Sequence, residues 1–379
     1  MAARQDETVL ARLSYSARTH SGHRPVYQTA KNPIIMSDKR IYSIDWLKGV
    51  MILIIVIFHS FFFPGFRGYL AVDVFFFISG YFMMTSFLRK PTTATRYTWR
   101  RIKRLAAPYF ISMVFVCILR YHNFLAIDSF DSFIDMMGKV FSTIPFVEEL
   151  GGEITRTPFL LGCWFLSVLV IGSFFLYAML QYDERLAILI LFPAIVLIGY
   201  NAMFEHSGSI NIFTTRIGPL GAPLVRGLTD MAGGALICYV YNHYKDSIER
   251  HYRLVNALGL IALCIFLATL FTKQELDKYY IITIPWFLLA AVMDHSWLNN
   301  VLTRIKGGLL SKLGRYTIYV YCIHGVAQTL LFWTNDHLLH SALNGASLFI
   351  AYLLSVAAAS VVLYYLSQFV TRLIESREG

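Results

Sequence analysis

Lys48 and His59 stand eleven residues apart in IDWLKGVMILIIVIFHSFFF, an otherwise apolar stretch. At roughly 100° per residue this spacing makes about three helical turns, so both side chains share one face about 16 Å apart. The stretch is long and greasy enough to cross a bilayer. An ionisable side chain inside such a helix is costly and faces protein or a water-filled cavity. Histidine titrates near neutral pH and can take a proton from a reacting hydroxyl. We therefore expect His59 to act as a general base. The competing reading is a histidine packed and hydrogen-bonded within a helix bundle.

Other residues could serve the same chemistry. The next apolar run, LAVDVFFFISGYF, carries Asp73 near its start. If the two runs form an antiparallel pair, Asp73 lies at the depth of His59. A carboxylate on one imidazole nitrogen fixes the tautomer and frees the other nitrogen, so we expect an Asp73–His59 dyad. The alternative makes Asp73 the partner of another buried donor. Gly80 shares the face of Asp73 and lets helices approach closely.

Near the Lys48 end, RYTWRRIKRLAAPYF holds Arg101 and Arg104. Three apart, they face together if a helix begins there, and with Lys48 they could hold phosphates. A basic cluster kept for topology or lipid contact is the plainer account. Asp45 lies within about 40° of the face of His59 and would steady Lys48 rather than touch substrate. Arg226 and Asp230, four apart in a later run, either pair with each other or leave Arg226 to meet an acyl oxygen or sugar phosphate. His324 falls inside another apolar run, where it supports or packs rather than acting as a second base.

The elements that must position these groups follow from composition. The 379 residues are 56% hydrophobic, 16% aromatic and only 15% charged. A soluble chain could not hide that much apolar surface, so a lipid bilayer must solvate much of it. The net charge of +10 does not mark a nucleic-acid binder, because it falls in blocks between apolar runs. The five cysteines (117, 163, 238, 264 and 322) lie in or beside apolar runs, and no His/Cys cluster has zinc-ligand spacing, so no metal is expected.

Residues 1–40 read as a basic, disordered cytoplasmic tail. Ten spans follow, near 41–63, 69–88, 105–121, 159–180, 186–201, 220–241, 254–272, 279–293, 314–333 and 345–370, several interrupted by proline, as at Pro193 and Pro285. With the N-terminus inside, roughly 24 Lys/Arg fall on the cytoplasmic side and roughly 7 outside, as the positive-inside rule expects. The expected fold is an all-α integral membrane protein, a bundle of about ten transmembrane helices over 41–370. Both termini are cytoplasmic, and 371–379 form a short tail. The outer connection at about 122–158 is long and acidic, suiting either a lid or a solvated spacer. An apolar helix face can meet lipid or a second copy, so a homodimer stays open.

These residues resemble the transmembrane acyltransferase-3 family, whose hallmark is Arg or Lys, ten residues, then His. Here that is Lys48 to His59, within IDWLKG, FH and VDVFFFISGYF. The likeness continues through Arg101-Ile-Lys-Arg104, Cys163-Trp164-Phe165-Leu166 and LGRYTIYVYCIH ending at His324, and covers about residues 41–370. Two departures are lysine at position 48, where arginine is commoner, and the lack of a large soluble domain after the last span. The resemblance implies transfer of an acyl group, usually acetyl, from cytoplasmic acyl-CoA to a hydroxyl on an extracytoplasmic glycan or lipid-linked sugar. It also implies a bacterial inner membrane. Lys48, Arg101 and Arg104 would then hold the phosphates of acetyl-CoA, with the thioester reaching His59. An oxyanion donor is needed; Arg226, Trp164 and tyrosines of the ninth span are the candidates. An acyl-histidine intermediate fits the same residues. A transporter of a glycan or lipid intermediate, or an acyltransferase acting on a lipid or small molecule, is the alternative.

Overall fold

The computed structural model describes residues 41–119, 164–212, 216–273 and 276–378. The basic segment 1–40, the acidic connection at about 122–158 and Cys163 lie outside the described residues. In lipid a backbone amide finds no partner beyond protein, so apolar runs close their hydrogen bonds internally as helices. The described helices are α1 Tyr42–His59, α2 Leu70–Arg89, α3 Ala94–Leu119, α4 Trp164–Tyr182, α5 Glu184–Ser207, α6 Ala222–His243 and α7 Lys245–Arg250. Then come α8 Tyr252–Thr269, α9 Asp277–Tyr280, α10 Thr283–Val292, α11 Trp297–Arg304, α12 Gly308–Arg315, α13 Thr317–His337 and α14 Gly345–Glu378. A two-residue hairpin, β1 Arg216–Ile217 with β2 Leu220–Gly221, precedes α6. Within α5, a π-helical turn at Ala187–Leu191 absorbs the break before Pro193.

Each of the ten expected positions carries a helix. Among the described residues seven are long and apolar enough to cross a bilayer, or eight if Asp277–Val292 with Trp297–Arg304, bent by 49°, makes one broken span. The chain is an all-α, multi-pass membrane protein. The last helix overruns its expected end at 370 and continues to Glu378. Its 34 residues make about 51 Å of helix, well beyond the hydrocarbon thickness of about 30 Å.

Two further long helices, α6 and α13, are less apolar and hold much of the candidate chemistry. α6 carries Arg226 and Asp230 and packs against α2, α4 and α5. α13 carries His324 and Gln328 and packs against α1, α3 and α14. Both are wrapped by protein, which is where polar side chains at membrane depth can be satisfied. α2 and α6 cross at close range. A Cβ on Gly80 would overlap the Met231 carbonyl oxygen, and one on Gly234 would overlap that of Phe77. Small residues thus bring the two backbones together, two turns from Asp73.

Two polar knots gather the connections into two sets. At the His59 end, Arg67 donates to Asp277 at 2.6 Å and to the Thr269 carbonyl, while Ser209 and Tyr69 donate to the same carboxylate at 2.7 and 3.0 Å. At the other end, Glu249 accepts from Tyr241 at 2.8 Å, from the Asp294 and His295 amides, and from the His295 ring at 2.7 Å. Burial alone would raise the pKa of Glu249, but these donors outweigh it and hold it below the ordinary carboxylate value. A depressed carboxylate pKa stabilises the fold above the unfolded value, about 4.3, and that stability is lost as pH falls through the folded pKa. Glu249→Gln is therefore expected to cost about 1 kcal/mol at pH 7. In thermal unfolding across pH, its deficit against wild type should close on acidification below about pH 4.

Candidate active site

His59 is the last residue of α1 and is half-buried. The final carbonyls of a helix lack helical partners; here Gln328 donates its side-chain amide to the His59 carbonyl. The His59 ring lies 4.8 Å, centroid to centroid, from the ring of His324, tilted by 44°. Phe58 closes its other side, edge-on at 5.1 Å. His324 is fully buried, and its Nδ1–H donates to the Tyr321 carbonyl at 2.7 Å. His324 and Gln328 are four apart, so one face of α13 meets both the ring and the backbone of His59.

Asp73 does not form the expected dyad. Its Oδ1 accepts from Arg226 Nε at 2.6 Å and its Oδ2 from Arg226 Nη2 at 2.8 Å; Nη2 also donates to the Tyr69 carbonyl at 2.9 Å. The reason is physical. A buried carboxylate gains more from a permanent, fork-shaped cation than from a neutral imidazole, and the glycine crossing brings α6 to that face of α2. Asp73 and Arg226 are both buried. Trp164 sets its ring 5.9 Å from the guanidinium carbon, a cation–π contact. Asp230 accepts from Tyr200 at 2.6 Å and also lies in the field of Arg226.

Aromatic rings join the two groups. Tyr321 lies 5.7 Å from His324 and 5.3 Å from Phe165, which packs at 4.5 Å on Phe76, itself 6.2 Å from Trp164. The histidine pair and the Asp73–Arg226 pair therefore wall one continuous packed region at one end of the bundle.

The basic residues lie toward the opposite end. Lys48, half-buried, holds its ammonium 5.4 Å from the centre of the Phe82 ring. Asp45, one turn earlier, is half-buried where Gly314 of α12 meets its carbonyl. Arg101 and Arg104 do not face one way as expected. Arg101 turns inward, donating to Ser173 on α4 and lying 6.0 Å from the Tyr97 ring, while Arg104 is exposed on the helix surface. Helical twist over three residues leaves a residual angle of about 60° between them, which is enough to separate inner from outer.

Sequence reasoning missed two members. Gln328 is a buried amide one turn after His324, a signal legible from spacing once His324 is taken as a site residue. Tyr200 lies on α5 and meets Asp230 through a contact that only the packing reveals. Chemically, the arrangement offers a partly exposed histidine at a helix end, its ring beside a second, buried imidazole and near a satisfied ion pair.

A family model described as an acyltransferase domain matches residues 41–365. A curated protein of Komagataeibacter xylinus, "Putative membrane-bound transacylase BcsY", is 40% identical over 73 residues, which is 19% of this chain and 18% of that relative's length. No solved structure matches the chain. With the family match spanning nearly all of the helical bundle, the chain belongs to the acyltransferase-3 family of membrane acyltransferases.

Proposed function

We propose that this protein is an O-acyltransferase, most simply an O-acetyltransferase, of a bacterial inner membrane. It moves the acyl group of cytoplasmic acetyl-CoA to a hydroxyl of an extracytoplasmic or lipid-linked polysaccharide sugar. The observation that carries this reading is the half-buried His59 at the end of α1, held by α13, with Lys48 about three turns away on the same helix. That rise suits a donor whose phosphates rest at the Lys48 end and whose pantetheine arm runs toward His59.

In this reaction His59 accepts the proton of the acceptor hydroxyl as its oxygen attacks the thioester carbonyl carbon. The new C–O bond forms, the C–S bond breaks, and the proton passes to the departing CoA sulfur. Lys48 and Arg101 hold phosphate charge, with Arg104 as an outer contact. Arg226 is committed to Asp73, so its role is to fix the wall beside Trp164 rather than to roam toward substrate. Asp73 serves the same wall.

Lys48→Ala tests the donor end. It should raise the KM for acetyl-CoA about tenfold or more while kcat at saturation changes little, the pattern of lost ground-state binding. An unchanged KM would place the donor elsewhere.

A further inference from the structure

We propose that His324 is a positioning residue for His59, acting through its Nε2. The inference rests on the reading of His59 as base and names how that base is held. The Tyr321 carbonyl can bond to His324 Nδ1 only if that nitrogen carries a hydrogen. In the neutral ring Nε2 is then a bare lone pair. That atom is fully buried and has no hydrogen-bond partner. A buried acceptor left without a donor costs about 1–3 kcal/mol, so its retention calls for a use.

The neighbour that can supply the donor is His59. The two ring centres are 4.8 Å apart and tilted by 44°, and the proposed contact is made by rotating the His59 ring until an N–H meets Nε2. Gln328, on the same face of α13, pins the His59 backbone, so the rotation moves the ring and not the helix. With one N–H given to His324, the other nitrogen of His59 is left unprotonated toward the half-open side. When that nitrogen takes the acceptor's proton, the bond to Nε2 shares the positive charge. His324 thus does the orienting work expected of Asp73, with a neutral acceptor in place of a carboxylate. The proton inventory is unchanged: one proton arrives from the hydroxyl and one leaves with the CoA thiol.

The test exploits side-chain geometry. Glutamine can place an oxygen near the position of Nε2, whereas asparagine replaces the group near Nδ1 and puts nothing at Nε2. Wild type, His324→Gln, His324→Asn and His324→Leu are compared for kcat and for the KM of acetyl-CoA, with thermal unfolding as the folding control. The expected result is kcat within about tenfold of wild type for Gln, and about a hundredfold lower for Asn and Leu. KM should be unchanged in all. Asn retaining more activity than Gln, or folded Leu acting like wild type, would overturn it. The carbethoxylation rate of His59 by diethylpyrocarbonate, followed by mass spectrometry, is a second readout that needs no acyl transfer. It should rank Gln with wild type and Asn with Leu, and equal rates in all four would also overturn it. If wild type transfers no acetyl group while the carbethoxylation ranking holds, the function proposed above fails and the positioning role stands.

Discussion

Replacing His59 by alanine is expected to lower kcat for the proposed acetyl transfer by about a thousandfold or more, within the span that a positioned general base contributes. The fold should tolerate the change. His59 ends its helix, is half-buried, and is tied to α13 through its backbone carbonyl, which alanine retains. Thermal unfolding should therefore move by about 1 kcal/mol or less, the size expected for a site without deep packing. The KM for acetyl-CoA should hold, because the groups assigned to its phosphates stand three turns away. Loss of kcat with both KM and stability preserved separates a base from a packed histidine.

Asp73→Ala is expected to act on the fold. It strips a buried guanidinium of its carboxylate, and breaking such a pair costs about 3–5 kcal/mol. Arg226 would keep the Tyr69 carbonyl, the Trp164 ring and the field of the buried Asp230, but would lose its two-pronged bond to Asp73. The double variant Asp73→Leu/Arg226→Met should recover part of the loss, since the guanidinium is removed together with the carboxylate that faced it. Thermal unfolding of the three variants in one detergent measures this directly. If Asp73 instead served His59, the single variant would lose activity at wild-type stability.

The sequence carried the helices and the face of α1, because both depend on periodicity within one run. Lys48 and His59 share that face for the same reason. It carried the pairing of Asp73 less well, because that depends on which helix arrives at the other side. Gly80 marked the approach surface without identifying the visitor; the matching Gly234 lies in a helix far along the chain. The tendency to pair chain neighbours favoured α1, and the glycine crossing selected α6. The runs at 220–241 and 314–333 located α6 and α13, although both carry polar residues: a helix sheathed by protein need not be apolar all round. The divergence of Arg101 and Arg104 follows from the helical twist between them, and Ser173 on α4, a partner no local pattern announces, receives the inner one.

The central claim is tested most directly by labelled transfer. Purified wild type and His59→Ala, each shown to be folded, are given acetyl-CoA labelled in the acetyl group together with lipid-linked sugar acceptors. The account predicts an alkali-labile acetyl ester on the acceptor with wild type and essentially none with the variant. Ester formed by the variant at the wild-type rate would contradict it.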